Sequence, residues 1–584
     1  MKYENILKHI GVLGKFQKIL IAGFLLFQLP ACCQFIGQVF LGASTDHWCK
    51  TPGIADVEAN CSSSLGFENA LECHADEAQK NRSIPYEMDS DGRLVLSSCK
   101  RYAEGEGGSE VNSSASSDVI ISCDSGWNFD RSQYKSTINQ DFSLVCERED
   151  LPGVAQSVWF AGLLTGSIIW GSVGDWIGRR KTFFLCLIGV SISSIVTSFS
   201  PSFEVFTLLR FVTANCCYGA FLMTYVLGSE LVGPKQRVMY GSVSAMAFSV
   251  GYMVLVCLAY LIRDWRDLQL TMSLPFLPFF MLFFWFPESP RWLISKGRFG
   301  EAKKILERIA RVNKTQVPEN LFDEGEEKTK VPHGQTEEKV TTRPITQLDL
   351  LRTPNLRKKS LIICYDWFVV NMVYYGLSLS TSALGINDYV AGFVSGGIEI
   401  PGILLSWWMV DRCGRRFTTS SAYTTSGVAC LVTMFIPPGV ARAVVAMVGK
   451  FAAAAAFNLI YLYSVELYPT VTRTMGMGMS SMVARVSGIL APIILILGKY
   501  WYPLPLCVFG GSSVLAGLLT LLLPETLGFN LPDTLEEGEQ FGKGAGLKLC
   551  CAGNTKDDDK TVKSPAEYAA LQTEGNPPND DVMV

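Results

Sequence analysis

The chain has 584 residues, of which 48% are hydrophobic, and its formal net charge is −4 at pH 7. A sequence so long and so apolar excludes a single soluble domain. It contains no Gly-x-x-x-x-Gly-Lys-[Ser/Thr] motif and no nucleophile–base pattern, which argues against an ATP-driven pump and against an enzyme. We expect no catalytic residue, no resident metal or cofactor and no nucleic-acid partner.

Twelve apolar runs of about 20 residues follow one another along the chain, and each is long enough to cross roughly 30 Å of hydrocarbon. They predict an all-α membrane protein with twelve transmembrane helices in two six-helix halves. The runs lie near residues 19–41, 153–174, 182–200, 204–228, 239–261, 268–286, 360–380, 387–410, 417–437, 441–463, 474–498 and 502–523.

Basic residues precede the first run and fill alternate short loops, so the positive-inside rule places both termini in the cytoplasm. An apolar helical stripe, Tyr3, Ile6, Leu7, Ile10 and Leu13, predicts an interfacial helix before the first run. The predicted divisions are a cytoplasmic amphipathic segment 1–18, a first half 19–286, a cytoplasmic inter-half loop 287–359, a second half 360–523 and a cytoplasmic tail 524–584.

A long loop, residues 42–152, falls outside the membrane by the same rule. Its six cysteines suit disulfides in an oxidising space, and they lack the paired spacing of a zinc site. Their pairing cannot be read from the sequence. The cysteines are Cys49, Cys61, Cys73, Cys99, Cys123 and Cys146, and the predicted glycosylation sites are Asn60, Asn81 and Asn112.

Two further signals lie on the cytoplasmic side. A fourth sequon, Asn313-Lys314-Thr315, follows a predicted helix that runs from Phe299 to Val312, and it should stay unmodified. The last residues, Val582-Met583-Val584, suit a PDZ-type groove, and an uninvolved tail explains them as well.

One charged motif occurs twice, displaced by 236 residues. Each copy lies where an apolar run meets a loop, where glycine permits a sharp reversal and an acid can pair with an arginine or cap a helix. Asp175-x-x-Gly178-Arg179-Arg180 returns as Asp411-x-x-Gly414-Arg415-Arg416, Glu230 and Arg237 return as Glu466 and Arg473, and Pro287-Glu288 returns as Pro524-Glu525 one residue further along.

These motifs resemble the signature loop of the major facilitator superfamily, although Trp176 replaces the usual arginine. Arg263-Asp264-Trp265-Arg266, Pro287-Glu288-Ser289-Pro290-Arg291 and Glu466-Leu467-Tyr468-Pro469-Thr470 closely resemble segments of the organic cation and carnitine transporters, solute carrier family 22. The resemblance implies a monomeric plasma-membrane transporter that works by alternating access. The implied gating residues, which tie the halves together at the cytoplasmic face while the site is open outside, are Asp175, Arg179, Arg180, Glu230, Arg237, Asp411, Arg415, Arg416, Glu466 and Arg473.

Polar and aromatic residues within the runs predict the solute site, because ionisable groups in a bilayer are costly. Trp367, Asn371, Tyr374 and Ser378 share one helix face, which suits a water-accessible cavity or buried packing groups. In the resembled family, the positions of Trp367, Tyr374 and Phe221 line the cavity. The predicted substrate-binding residues are Phe221, Tyr225, Trp367, Asn371, Tyr374, Glu399, Lys450, Asn458 and Arg485.

Arg485 carries the prediction of substrate class. Arginine binds a carboxylate through two parallel hydrogen bonds, and the resembled anion and carnitine transporters carry arginine at this position. A structural ion pair with Asp366 or Glu399 is the alternative. We expect a carnitine-like zwitterion or cation as the substrate; a polyspecific organic anion exchanger and a non-transporting receptor or scaffold are the alternatives. Sodium coupling stays open.

Overall fold

The computed structural model describes residues 3–50, 84–88, 94–103, 120–315, 349–529 and 531–543. Twelve long segments form its bundle and are numbered in chain order. They are α1 Lys15–Ile36 (continued by Gln38–Leu41), α2 Leu151–Ile177, α3 Arg179–Thr197, α4 Phe203–Leu231, α5 Pro234–Leu261, α6 Trp265–Ser273, α7 Pro354–Leu379, α8 Asp388–Cys413, α9 Arg415–Thr433, α10 Val440–Leu467, α11 Arg473–Leu497 and α12 Leu504–Thr520.

The twelve-helix layout is confirmed. Among the described residues, nine helices are long and apolar enough to cross a membrane, and α12 is a shorter apolar helix. The sixth span departs from a regular helix, because α6 continues as a 3-10 helix over Leu274–Phe284. Pro275 and Pro278 lack the backbone N–H that an α-helix needs there.

Both halves pack their helices in the same pattern. In the first half α1 packs on α5 and α4 packs on α2 and α3; in the second α7 packs on α11 and α10 packs on α8 and α9. The halves meet along α2 with α11 and along α5 with α8. Glycines allow close approach there, since a Cβ on Gly488 would lie 2.7 Å from the Phe160 ring and one on Gly396 would lie 3.1 Å from Met253.

The predicted outer loop is tied together by short antiparallel strand pairs and disulfides. Cys49 bonds to Cys123 and Cys99 bonds to Cys146, so four of the six predicted cysteines are paired. Cys61, Cys73 and the three predicted glycosylation sites lie outside the described residues. The strand pairs are β1 His47–Cys49 with β6 Trp127–Phe129, β2 Tyr86–Met88 with β3 Leu94–Leu96, and β4 Lys100–Tyr102 with β5 Ile120–Ser122.

The end of the bundle that carries this loop is called the loop end. A cluster around Tyr389 joins the two halves there and is called the loop-end bridge. The Tyr134 hydroxyl donates to Asp388 Oδ2 at 2.9 Å, and the Tyr389 hydroxyl donates to the Gln133 carbonyl at 3.2 Å. The Phe40 ring stacks on Tyr389 with centroids 6.0 Å apart. The first half and the start of α8 are therefore held together at this end.

The opposite end, here the motif end, carries Gly178, Gly414 and short helices. Tyr3–Ile10 is helical as predicted, but its Ile6 and Ile10 are buried in the core that includes Leu306 and Ile309 of helix Phe299–Asn313. The expectation of an interfacial position is therefore wrong for that face, which protein covers.

The remaining short helices of the described residues are Ile138–Asp141, Cys146–Arg148, Pro290–Ser295, Asp349–Arg352, Thr381–Leu384 and Leu535–Gln540.

Helix Leu535–Gln540 docks at the start of α7. Glu539 accepts hydrogen bonds from the backbone N–H groups of Asn355 and Leu356 at 3.1 and 2.8 Å. Partial burial alone would raise the pKa of Glu539, but these N–H groups, the Thr353 hydroxyl and the Lys543 ammonium lower it to about 2. The carboxylate therefore caps α7, where an anion is favoured by the helix dipole.

Candidate functional site

The two motif loops have the same ion-pair arrangement. Arg179 Nη2 lies 2.9 Å from Asp175 and 3.4 Å from Glu230. In the second copy, Arg415 lies 3.9 Å from Asp411 and 3.0 Å from Glu466. Because each arginine follows a tight glycine turn, it reaches the acid one helical turn back and the acid at the end of the fourth helix of its own half.

Glu288 and Glu525 complete these loops in a way that the sequence did not reveal. Glu288 accepts from the backbone N–H of Arg179 and Arg180 at 2.8 and 3.1 Å, and so caps α3. Glu525 accepts from the same two positions of the second copy at 2.8 and 3.0 Å, and so caps α9. The repeat of Pro-Glu at nearly the motif's own offset was the available signal.

The other predicted gating residues also lie at the motif end. Arg180 Nη2 donates to the Phe283 carbonyl, Arg237 Nε to the Ser229 carbonyl and Arg473 Nη2 to the Thr470 hydroxyl. These motif contacts join residues of one half. The predicted tie between the halves belongs to a conformation that is open at the loop end. This structure is bridged at the loop end, so the gating role of these residues stays a prediction.

Arg485 is buried in the middle of the bundle. Its Nη2 donates to the Tyr218 hydroxyl of the first half at 3.1 Å, and its Nη1 lies 3.5 Å from Asn371 Oδ1. Its Nε has no hydrogen-bond partner. Among the described residues no carboxylate lies within ion-pair distance of Arg485, so the predicted alternative of a pair with Asp366 or Glu399 is wrong.

An aromatic wall runs along α7 and α10 beside this arginine. Trp367 contacts Tyr461 with ring centroids 4.4 Å apart, Tyr461 contacts Phe457 at 5.8 Å, and Phe457 contacts Tyr374 at 5.3 Å. Trp367 Nε1 donates to Ser464 at 2.9 Å. The predicted stripe therefore exists as a continuous wall, in which Phe457 and Tyr461 of α10 separate Trp367 from Tyr374.

Glu399 and Lys450 form a buried ion pair. Lys450 Nζ lies 3.1 Å from Glu399 Oε1, and both side chains are almost fully buried. Glu399 Oε2 accepts from the Ser249 hydroxyl of the first half at 2.6 Å. Asp366, by contrast, is fully buried and accepts from Thr520 at 3.0 Å, away from this pair.

The remaining predicted residues, Phe221, Tyr225 and Asn458, lie on α4 and α10. Phe221 stacks on Tyr218 with centroids 6.3 Å apart, and Tyr225 contacts Tyr240 at 5.8 Å. Asn458 Oδ1 accepts from Ser242 of the first half at 3.4 Å. Sequence reasoning left Tyr218 and Ser249 out of the site. Each is one of several polar side chains on its helix, and nothing local indicates which helix it faces.

Comparison with known proteins agrees with this architecture. A family model described as sugar (and other) transporter matches residues 123–536. An organic cation transporter protein of Drosophila melanogaster is 39% identical over 548 residues, which cover 93% of this chain and 95% of that protein. The chain belongs to the organic cation and carnitine transporters, solute carrier family 22. It is therefore a multi-pass membrane transporter of the major facilitator superfamily, not an enzyme.

Two further similarities bear on the family and on the fold. The human organic cation/carnitine transporter 2 is 33% identical over 546 residues, covering 92% of this chain and 93% of that protein. The solved structure of the xylose transporter XylE from E. coli matches with a TM-score of 0.51 and 18% identity, covering 69% of this chain and 93% of that one. At that identity the second match shows the fold alone.

Proposed function

We propose that the chain is a plasma-membrane secondary transporter of small solutes that carry both an amine and a carboxylate. The observation that carries the proposal is Arg485, a buried guanidinium between the halves that has no carboxylate partner among the described residues. A buried charge is costly when unpaired. A carboxylate ligand would supply the missing partner through charge-assisted hydrogen bonds.

The amine would bind beside the aromatic wall. The faces of Trp367 and Tyr374 attract ammonium groups by cation–π interaction, worth about 0.5–2 kcal/mol per contact. The names of two relatives, an organic cation transporter and an organic cation/carnitine transporter, are consistent with such a substrate. A purely cationic substrate would leave Arg485 unpaired and add a second positive charge near it.

Alternating access with both termini in the cytoplasm is the proposed mechanism. The halves pack along two matched interfaces and are bridged at the loop end, which supports rocking of one half against the other. In the opposite state the loop-end bridge would part and the gating residues of the motif end would meet across the halves.

The test is uptake of labelled carnitine, tetraethylammonium and para-aminohippurate, with and without sodium, in cells that display equal amounts of each variant. The wild type should take up carnitine. Arg485→Asp should lose carnitine and gain tetraethylammonium, while Arg485→Lys should retain part of the carnitine uptake. Arg298→Asp, at an exposed residue just before helix Phe299–Asn313, is the charge-matched control. Carnitine uptake that survives Arg485→Asp would refute the role of Arg485.

An organic anion exchanger is the second candidate, because an unpaired guanidinium also suits a simple anion. Uptake of para-aminohippurate without carnitine or tetraethylammonium would favour it. Counterflow of labelled solute in proteoliposomes separates both from a non-transporting receptor, which would show none.

A further inference from the structure

Lys450 occupies a position that suits a ligand's ammonium group. Its Nζ lies 3.4 Å from the centroid of the Tyr374 ring and 3.1 Å from Glu399 Oε1. It also donates to the Tyr374 carbonyl at 3.3 Å and to the Ser378 hydroxyl. An acid beside an aromatic face is the arrangement that binds an organic ammonium ion.

We propose that Lys450 is a resident cation that competes with the amine of the solute for the Tyr374 face and Glu399. The inference rests on the proposed function, since it concerns the amine-binding part of the same site. An incoming ammonium must displace the Lys450 ammonium from the ring, so Lys450 weakens the binding of solutes whose only charged group is an ammonium.

Arg485, the proposed carboxylate-binding residue on α11, contacts the helix that carries Tyr374. Asn371, the partner of Arg485, and Tyr374 are three residues apart on α7, which corresponds to a rise of about 4.5 Å. A small zwitterion can therefore contact Arg485 and the Tyr374 face together. Its carboxylate compensates for the displacement of Lys450, which a simple cation cannot do. The competition selects zwitterions over cations.

The same pair lies on the interface between the halves. Glu399 of α8 accepts the Ser249 hydroxyl of α5 through the oxygen that Lys450 does not contact. When an ammonium ion enters, Glu399 faces two cations, and the Ser249 hydroxyl competes with them for the carboxylate. Occupation of the amine site is thereby linked to the α5–α8 contact.

The test uses purified full-length protein and binding measured as ligand-induced stabilisation, so it does not depend on transport. Lys450→Met keeps most of the side-chain length and removes the charge, and it should bind tetraethylammonium about 10-fold more tightly than the wild type. The affinity for para-aminohippurate, which has a carboxylate and no ammonium, should change less than about 2-fold, because its carboxylate would bind Arg485. Lys450→Arg keeps the positive charge, so it should lack the gain in tetraethylammonium binding.

A second variant guards against misfolding, because Lys450→Met leaves Glu399 buried without a cation. Lys450→Met with Glu399→Gln restores a neutral pair and removes the acid, so its gain for tetraethylammonium should disappear. A folded Lys450→Met protein that binds tetraethylammonium no better than the wild type overturns the inference. Failure of the proposed function is a separate result, namely wild-type protein that transports no solute.

Discussion

Replacing Gly178 with alanine should destabilise the motif end of the first half, whereas replacing Gly171 of the preceding helix α2 should not. Gly178 has φ 103°, and a Cβ there would lie 2.4 Å from Glu288 Oε2. Gly171 lies within α2, and a Cβ there would meet nothing within 4 Å. The two positions differ in backbone conformation and in space, so they form a matched pair.

The cost at Gly178 has two parts. Holding alanine in this sparsely populated backbone region costs about 1–3 kcal/mol. Displacing Glu288 weakens its hydrogen bonds to the amides of Arg179 and Arg180, and a bond to a charged group contributes about 1.5–3 kcal/mol. The expected loss of stability is therefore roughly 2.5–6 kcal/mol. Gly171→Ala should instead gain up to about 1 kcal/mol of helix propensity.

The assay is the apparent Tm of purified full-length protein, compared across Gly178→Ala, Gly171→Ala, Glu288→Ala and the Gly178→Ala/Glu288→Ala double variant. Once the carboxylate is gone, Gly178→Ala should cost only the backbone part, about 1–3 kcal/mol, so the two effects should not add. A Gly178→Ala protein as stable as the wild type would refute the reasoning. Strict additivity would show that the contact with Glu288 contributes nothing.

Three further predictions concern the ends of the bundle. Asn313→Asp should lower the Tm although it keeps the acceptor for the Phe16 amide, because Asn313 Nδ2 donates to the Ile10 carbonyl at 3.1 Å and to Gln17 Oε1 at 2.9 Å and a carboxylate cannot donate; an unchanged Tm would contradict these contacts. Glu539→Gln should loosen the tail helix; since the pKa of Glu539 is lowered to about 2, the contribution is full above about pH 4.5 and lost as the pH falls towards 2, which proteolysis of the tail can follow. Asp388→Asn should weaken the bridge to Tyr134 and make cysteines introduced at the loop end react faster with thiol reagents; unchanged labelling would contradict the bridge.

The extent of the fold could be read from the sequence because hydrophobic length and basic flanks are local properties. The twelve runs, the helix that begins at Phe299 and the two glycine turns all follow from such signals. The conformation of the sixth span is the exception. Its length could be predicted from the sequence, but Pro275 and Pro278 convert its second part into a 3-10 helix.

For the site, the sequence predicted individual residues but not the contacts between them. Arg485, Glu399 and Lys450 are conspicuous as charges in apolar runs, but their partners depend on which helices meet. Glu399 pairs with Lys450 rather than with Arg485. The partner of Arg485 across the interface is Tyr218, one tyrosine among 20 in the chain. Single-sequence patterns specify faces of helices, and they carry no information on how two faces are opposed.

The loop-end bridge has a pharmacological consequence. Gln133 and Tyr134 belong to the loop that carries the disulfides, and they hold the start of α8 through Asp388 and Tyr389. On the proposed mechanism of alternating access, an antibody fragment that clamps this loop against α8 would arrest transport without touching Arg485 or the aromatic wall. Its inhibition would lower the maximal uptake rate, and no excess of solute would relieve it.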